Sequence, residues 1–180
     1  MKQKGFILVV SLIFMAVMSI LAIYMFSGFT TDAVLSANSR EKSRALDATQ
    51  SALDNAALWL GTGVNTYNGA AWVTGTSCSS ASAVPVICSN PLTAPATLPW
   101  PSYTSFTPTG MTVNASGGAA NIYAANTQYY IQYLGTLPGS VLPTALYQVT
   151  ATAQGGNATA TSVVQAVYQV QTNSSCATCP

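Results

Sequence analysis

Residues 6–29 read FILVVSLIFMAVMSILAIYMFSGF, and the chain carries no charge anywhere from Gly5 to Thr31. At about 1.5 Å per residue, a helix over this run is long enough to cross a hydrocarbon core of about 30 Å. The segment therefore predicts a helix that enters a membrane. Lys2 and Lys4 precede it and no basic residue follows closely. By the positive-inside rule the short N-terminus stays in the cytoplasm and the remainder is sent outward. The four cysteines fit an oxidising outer compartment.

Charge is the next constraint. The chain has five Lys or Arg, four Asp or Glu and no histidine. These are Lys2, Lys4, Asp32, Arg40, Glu41, Lys42, Arg44, Asp47 and Asp54, so residues 55–180 carry none. General acid or base chemistry needs a placed His, Asp, Glu or Lys. The C-terminal region offers only Tyr, Cys, Ser and Thr, with no partner to activate a nucleophile. A hydrolase triad and a carboxylate-held metal are excluded on this ground, and the reading is of a protein that is not an enzyme and carries no cofactor. Nucleic-acid binding needs clustered cations. The only cluster, Arg40, Glu41, Lys42 and Arg44, is interrupted by an acid, so no nucleic-acid partner is predicted.

A secretory signal has an apolar stretch of about 7–15 residues followed by a small-residue cleavage site. Residues 6–29 are too long for that, and Ser27-Gly28-Phe29 is a poor site. An uncleaved single-pass anchor is one reading. The basic five-residue leader MKQKG, ending in Gly5 and followed at once by Phe6 and the apolar run, resembles the leader of type IV prepilins. The resemblance implies a cut between Gly5 and Phe6 by a prepilin peptidase at the cytoplasmic face, then methylation of the new amine of Phe6. Such a cut removes both lysines and leaves the helix whole.

The helix is predicted to continue to Leu60. No proline intervenes, Leu46, Leu53 and Leu60 recur every seven residues with Thr49 and Ala56 between them, and Gly61 and Gly63 follow as stop signals. Arg40, Glu41, Lys42, Arg44, Asp47 and Asp54 take the other positions, the polar side. Gly28 beside Ser27 is the expected soft point, because glycine costs about 1 kcal/mol against alanine inside a helix.

A helix with one apolar stripe needs a surface to lie on. Residues 127–134 (TQYYIQYL) and 146–153 (LYQVTATA) read as strands, and 158–170 (ATATSVVQAVYQV) as a third, the last two forming a hairpin that turns on Gly155-Gly156-Asn157. The fold class predicted is α+β and pilin-like: a long N-terminal helix, half membrane-spanning and half amphipathic, packed on a small antiparallel sheet. The segments are 1–5 as leader, 6–29 as membrane or fibre-core helix, 30–60 as its amphipathic continuation, 61–126 as a loop region rich in Gly, Ser, Thr and Pro, and 127–180 as the sheet and a disulfide-closed C-terminus.

The Gly5-Phe6 junction, the segment RALDATQSALDNAALWL and the final pair LYQVTATAQGGNATATSVVQAVYQV together resemble minor pilins of the PilX type. The resemblance covers about half of the chain. It implies a structural subunit that helps to start type IV pilus assembly at or near the fibre tip. Its partners would be other minor pilins and the major pilin through the N-terminal helix, the prepilin peptidase, the inner-membrane assembly platform and, as a further candidate, a tip adhesin. Its place would be the bacterial inner membrane first and the fibre afterwards. A type II secretion pseudopilin is the near alternative, and a non-polymerising anchored binding protein or adhesin the distant one.

One departure from that family is informative. Most pilins have glutamate at the fifth mature position, where it is thought to pair with a neighbour's N-terminal amine; here that position is Val10. A chain without this carboxylate cannot neutralise the amine of a subunit ahead of it, and an unpaired charge in an apolar core costs several kcal/mol. Val10 is therefore the assembly residue that points to a tip location.

The cysteines fall as two local pairs, Cys78 with Cys88 and Cys176 with Cys179. Local disulfides are the preferred reading, with a four-cysteine zinc site and a redox Cys176-Ala-Thr-Cys179 motif as weaker alternatives. Trp72, Trp100, Tyr103 and Phe106 in the loop region are either an adhesive surface or, the favoured reading, aromatics that close the core beneath the loop.

Overall fold

The computed structural model describes residues 4–62, 67–68, 71–114, 121–139 and 144–171. Helix α1, Lys4–Gly61, is continuous, including through Gly28, where the glycine neither breaks it nor meets a neighbour. The chain divides into two compact units, Met1–Arg40 and Glu41–Pro180.

In the first unit every described side chain from Phe6 to Arg40 is exposed. Among the described residues the helix is the one element long and apolar enough to cross a membrane. Its interior hydroxyls do not disturb the apolar surface: Ser11 Oγ donates to Leu8 O at 2.9 Å and Ser19 Oγ to Met15 O at 2.8 Å. Each hydroxyl is thus satisfied by its own helix.

Among the described residues the second unit holds nine strands. They are β1 (Tyr67–Asn68), β2 (Ala71–Trp72), β3 (Ile87–Cys88), β4 (Thr104–Phe106), β5 (Thr112–Val113), β6 (Ile122–Tyr123), β7 (Thr127–Thr136), β8 (Thr144–Gln154) and β9 (Thr161–Gln171). The main sheet runs β3-β7-β8-β9, with β4 also on β7. The three long strands are antiparallel, in the order and places the sequence predicts. The sheet as a whole is mixed, however, because β3 lies parallel to β7, Ile87 opposite Ile131. That corrects the purely antiparallel expectation. β3 and β4 are two and three residues long, too short for alternation to show in a stretch with no sustained period. The β8–β9 hairpin also differs in its turn. β9 begins at Thr161, and residues 155–160 form a loop closed by Gly155 N–H donating to Ala160 O at 2.8 Å and Ala160 N–H donating to Asn157 O at 3.0 Å.

The helix face on the sheet keeps Thr49, Ala56 and Leu60 of the predicted stripe but is not centred on its leucines. Ala45, Ala48, Thr49, Ala52, Ala56 and Leu60 are buried, while Leu46 is 39% exposed and Leu53 only partly covered. Those buried positions follow the three-and-four spacing of one helix face. The side chains on that face are mostly small, and the sheet supplies the bulk through Tyr129, Ile131, Tyr147 and Val149. Large against small across an interface is how a core reaches native density.

Candidate functional site

Two places stand out: the apolar start of α1 and the way the second unit holds its part of that helix. Gly5 lies in the helix, and Phe6 follows it, 72% exposed. Val10 is one turn further on. Phe6, Val10 and Phe14, four residues apart, share one face and line a shallow groove with Ile7 and Ser11. No acidic residue stands in the helix's first turn. The helix start can offer dispersion and apolar contact to a neighbour, but no carboxylate to its amine.

In the second unit the helix is held by charge as well as by packing. Glu41 Oε1 accepts from Arg44 Nη1 at 2.7 Å. Glu41 Oε2 accepts from Gly156 N–H across 115 positions of sequence. Arg44 Nη2 donates to Ile122 O at 2.6 Å, and its guanidinium lies 4.8 Å from the centre of the Tyr123 ring. Both side chains are largely covered, Arg44 with 13% of its side chain exposed and Glu41 with 26%. This corrects the expectation that the charges from Arg40 to Asp54 all occupy a solvated face. Arg40, Lys42, Asp47 and Asp54 are exposed, but Glu41 and Arg44 are not.

Gly155 is required here for space, because its Cβ would meet backbone, whereas Gly156 faces only movable side-chain ends. A Cβ on Gly155 would stand 2.7 Å from the Glu41 carbonyl oxygen, and one on Gly156 would stand 2.7 Å from Arg44 Nη1. The sequence signalled these glycines as a turn; what it did not signal is that the loop is a dock for the helix. Thr49, from the buried face, adds a hydroxyl that donates to Ala45 O at 2.7 Å and reaches Ser162 O at 3.4 Å.

Below the helix, tyrosines fill the core. Tyr147 O–H donates to Val73 O at 3.1 Å, and Tyr129 O–H donates to Asn55 Oδ1 at 3.4 Å. Burial pushes the Tyr129 phenol up to about 12. Burial, with the neighbouring Tyr133 adding to it, does the same to Tyr147.

Cys78 and Cys88 form a disulfide. It closes a loop whose ends are tied again by Asn90: Cys78 N–H donates to Asn90 Oδ1 at 2.7 Å, and Asn90 Nδ2 donates to Cys78 O at 3.0 Å. Gly75, at φ +81°, passes so close to the Ile87 carbonyl that no side chain fits there. Cys88, Trp100 and Tyr130 form a second small core, against which Tyr103 packs, while Trp72 and Phe106 pack on the main one. The loop aromatics close cores, as the favoured sequence reading has it. With Cys78 and Cys88 joined, a four-cysteine zinc site is ruled out; Cys176 and Cys179 lie outside the described residues. Among those residues, no three His, Cys, Asp or Glu side chains gather as a metal site would require.

Residues 4–54 match the family model described as PilX N-terminal. The matched region is the helix from its first turn to beyond the Glu41–Arg44 pair, under a third of the chain. No curated protein and no solved structure matches. A long N-terminal helix with an exposed apolar half and a mixed sheet make an α+β architecture. The match at its N-terminus supports a PilX-type pilin.

Proposed function

We propose that this chain is a minor pilin of a type IV pilus, a structural and non-enzymatic subunit that helps to initiate the fibre and sits at or near its tip. The observation that carries the reading is the apolar N-terminal helix with its PilX match and its exposed Phe6, Val10, Phe14 face. Helices so uniformly apolar outside are stable in lipid or in a bundle of their own kind, so one segment serves as anchor first and as fibre core later. Processing between Gly5 and Phe6 precedes that transfer. Val10 in place of a carboxylate suits a position with no subunit ahead, since an apolar neighbour cannot compensate a buried amine.

In a cell with its own prepilin peptidase, Gly5→Val leaves the precursor uncut and keeps it out of sheared pili. Immunogold labelling of the wild-type protein marks fibre tips in low copy number. Even decoration along the shaft would contradict the tip location, and a Gly5→Val chain found in sheared pili would contradict the processing step.

A further inference from the structure

The outer edge of β7 is shared by two strands placed end to end. β4 pairs with it at Thr127, Gln128 and Tyr129 and β3 at Ile131 and Gln132, so Tyr130 falls between them. Residues 76–82 then span the two strands from outside, through Thr76 opposite Cys88 and Ser82 opposite Thr104. Neighbouring strands lie about 4.8 Å apart, so this loop stands two spacings out from β7, about 10 Å. The result is a frame in the plane of the sheet, with β7 on one side, β3 and β4 at the ends and the loop on the fourth side. A cavity of about 280 Å³ lies within it.

The frame is held by bonds of its own. The Cys78–Cys88 disulfide ties the loop to β3. At the other end Ser82 N–H donates to Tyr103 O at 2.8 Å, Ser105 N–H donates to Ser82 O at 3.0 Å and Ser102 Oγ donates to Ser80 O at 2.9 Å. A wall already fixed spares a ligand the entropy of ordering it. Ser77, Ser79, Tyr103 and Thr104 line the cavity beside the apolar Val86. Thr104 is the informative residue. It is only 5% exposed, yet its hydroxyl bonds to no described residue and is not sealed from solvent. A buried hydroxyl is costly to leave unpaired. Its partner therefore comes from outside the chain, by way of the cavity.

We propose that this frame binds one ring of a neutral saccharide. A charged ligand would find no counter-charge, since no charged side chain lines the cavity and residues 55–180 carry none. A wholly apolar ligand would strip water from Thr104 and the serines without replacing its hydrogen bonds. An extended peptide cannot run along β7, because β3 and β4 close both ends of the frame. A pyranose ring meets all three conditions. Its hydroxyls donate and accept as those of Ser and Thr do, its C–H face suits the Tyr103 ring and Val86, and it is compact. The cavity is smaller than the sites of about 300–1,000 Å³ that take drug-sized molecules, which limits the ligand to one ring. The site lies wholly in the second unit, and the proposal does not rest on a role in a pilus.

The test is saturation-transfer NMR of the full-length protein, in a detergent without a sugar headgroup, against a panel of neutral methyl pyranosides. At least one of them is expected to bind with a Kd of about 1–10 mM, the range open to so small a ligand. Thr104→Val keeps the branched shape and removes the hydroxyl, and is expected to weaken that binding about tenfold. Its melting temperature should not fall, because the hydroxyl bonds nothing within the fold. Ala81→Trp, at an exposed position on the cavity wall, is expected to abolish binding by filling the space. Absence of signal from every pyranoside at about 50 mM, equal affinity in Thr104→Val, or binding that survives Ala81→Trp would each overturn the proposal. A lower melting temperature for Thr104→Val would overturn it as well, since the hydroxyl would then have its partner inside the chain.

Discussion

The two halves of α1 use hydrophobicity in opposite ways. From Phe6 to Phe29 the large apolar side chains point outward, with Phe6, Met15 and Tyr24 each more than 70% exposed. From Ala45 to Leu60 the buried residues are mostly alanines, and bulk comes from the tyrosines, isoleucine and valine of the sheet. The first half has no core of its own and is stable only in a medium or bundle that replaces water. The second half is a component of a packed domain. The difference teaches that one helix can belong to two environments when its side-chain size, and not only its polarity, changes along its length.

The comparison breaks most visibly on removal of a large core side chain. Tyr147→Ala is expected to cost the second unit about 3–5 kcal/mol, as aromatic truncations in cores do, whereas Leu12→Ala in the apolar half should leave its unfolding unchanged. Both are read by denaturant unfolding of the full-length protein in detergent. Equal effects of the two would mean that the halves are not energetically distinct.

Alkali should separate them next. A tyrosine in the unfolded chain titrates at about 10, while Tyr129 and Tyr147 are raised to about 12 when folded. The neutral phenol is the form that the fold favours, so this stabilisation is complete below pH 10 and is lost as pH rises from 10 towards 12. A two-unit shift corresponds to about 2–3 kcal/mol for each group. The tertiary signal of the second unit should therefore collapse within that window, while helical signal from the apolar half persists. A flat profile to pH 12 would show that the two phenols are not buried as described.

A smaller effect tests the dock. Glu41→Gln keeps the shape but loses the charge in the bonds to Arg44 and Gly156, at an expected cost of about 1–2 kcal/mol. Gly155→Ala should destabilise through crowding against the Glu41 carbonyl oxygen, 2.7 Å from the added Cβ. If Glu41→Gln is neutral, the helix is held by its alanine face alone.

Much of this was legible in the sequence, for physical reasons that also explain the rest. The apolar run and the three long strands announce themselves through sustained patterns. The helix face was legible in part: Thr49, Ala56 and Leu60 of the stripe are buried, but Ala45, Ala48 and Ala52 went unmarked because alanine carries little hydropathy, and Leu46 lies outside the face. Glu41 and Arg44 were assigned to solvent because charge usually lies there, and their partners Gly156 and Ile122 stand 115 and 78 positions away. Gly155-Gly156 was readable as a turn, but its close approach to Glu41 is a tertiary fact. The short strands β3 and β4 have no period to detect, and their places are set by pairing with β7 near the disulfide.

The most direct test of the whole account is the mass of the mature N-terminus in protein purified from membranes or pili. A chain beginning at Phe6 with one added methyl group is the result expected of a subunit whose apolar helix first anchors and then enters a fibre. A chain beginning at Met1 with both lysines retained would contradict it, and would leave the exposed half of α1 as a plain membrane anchor.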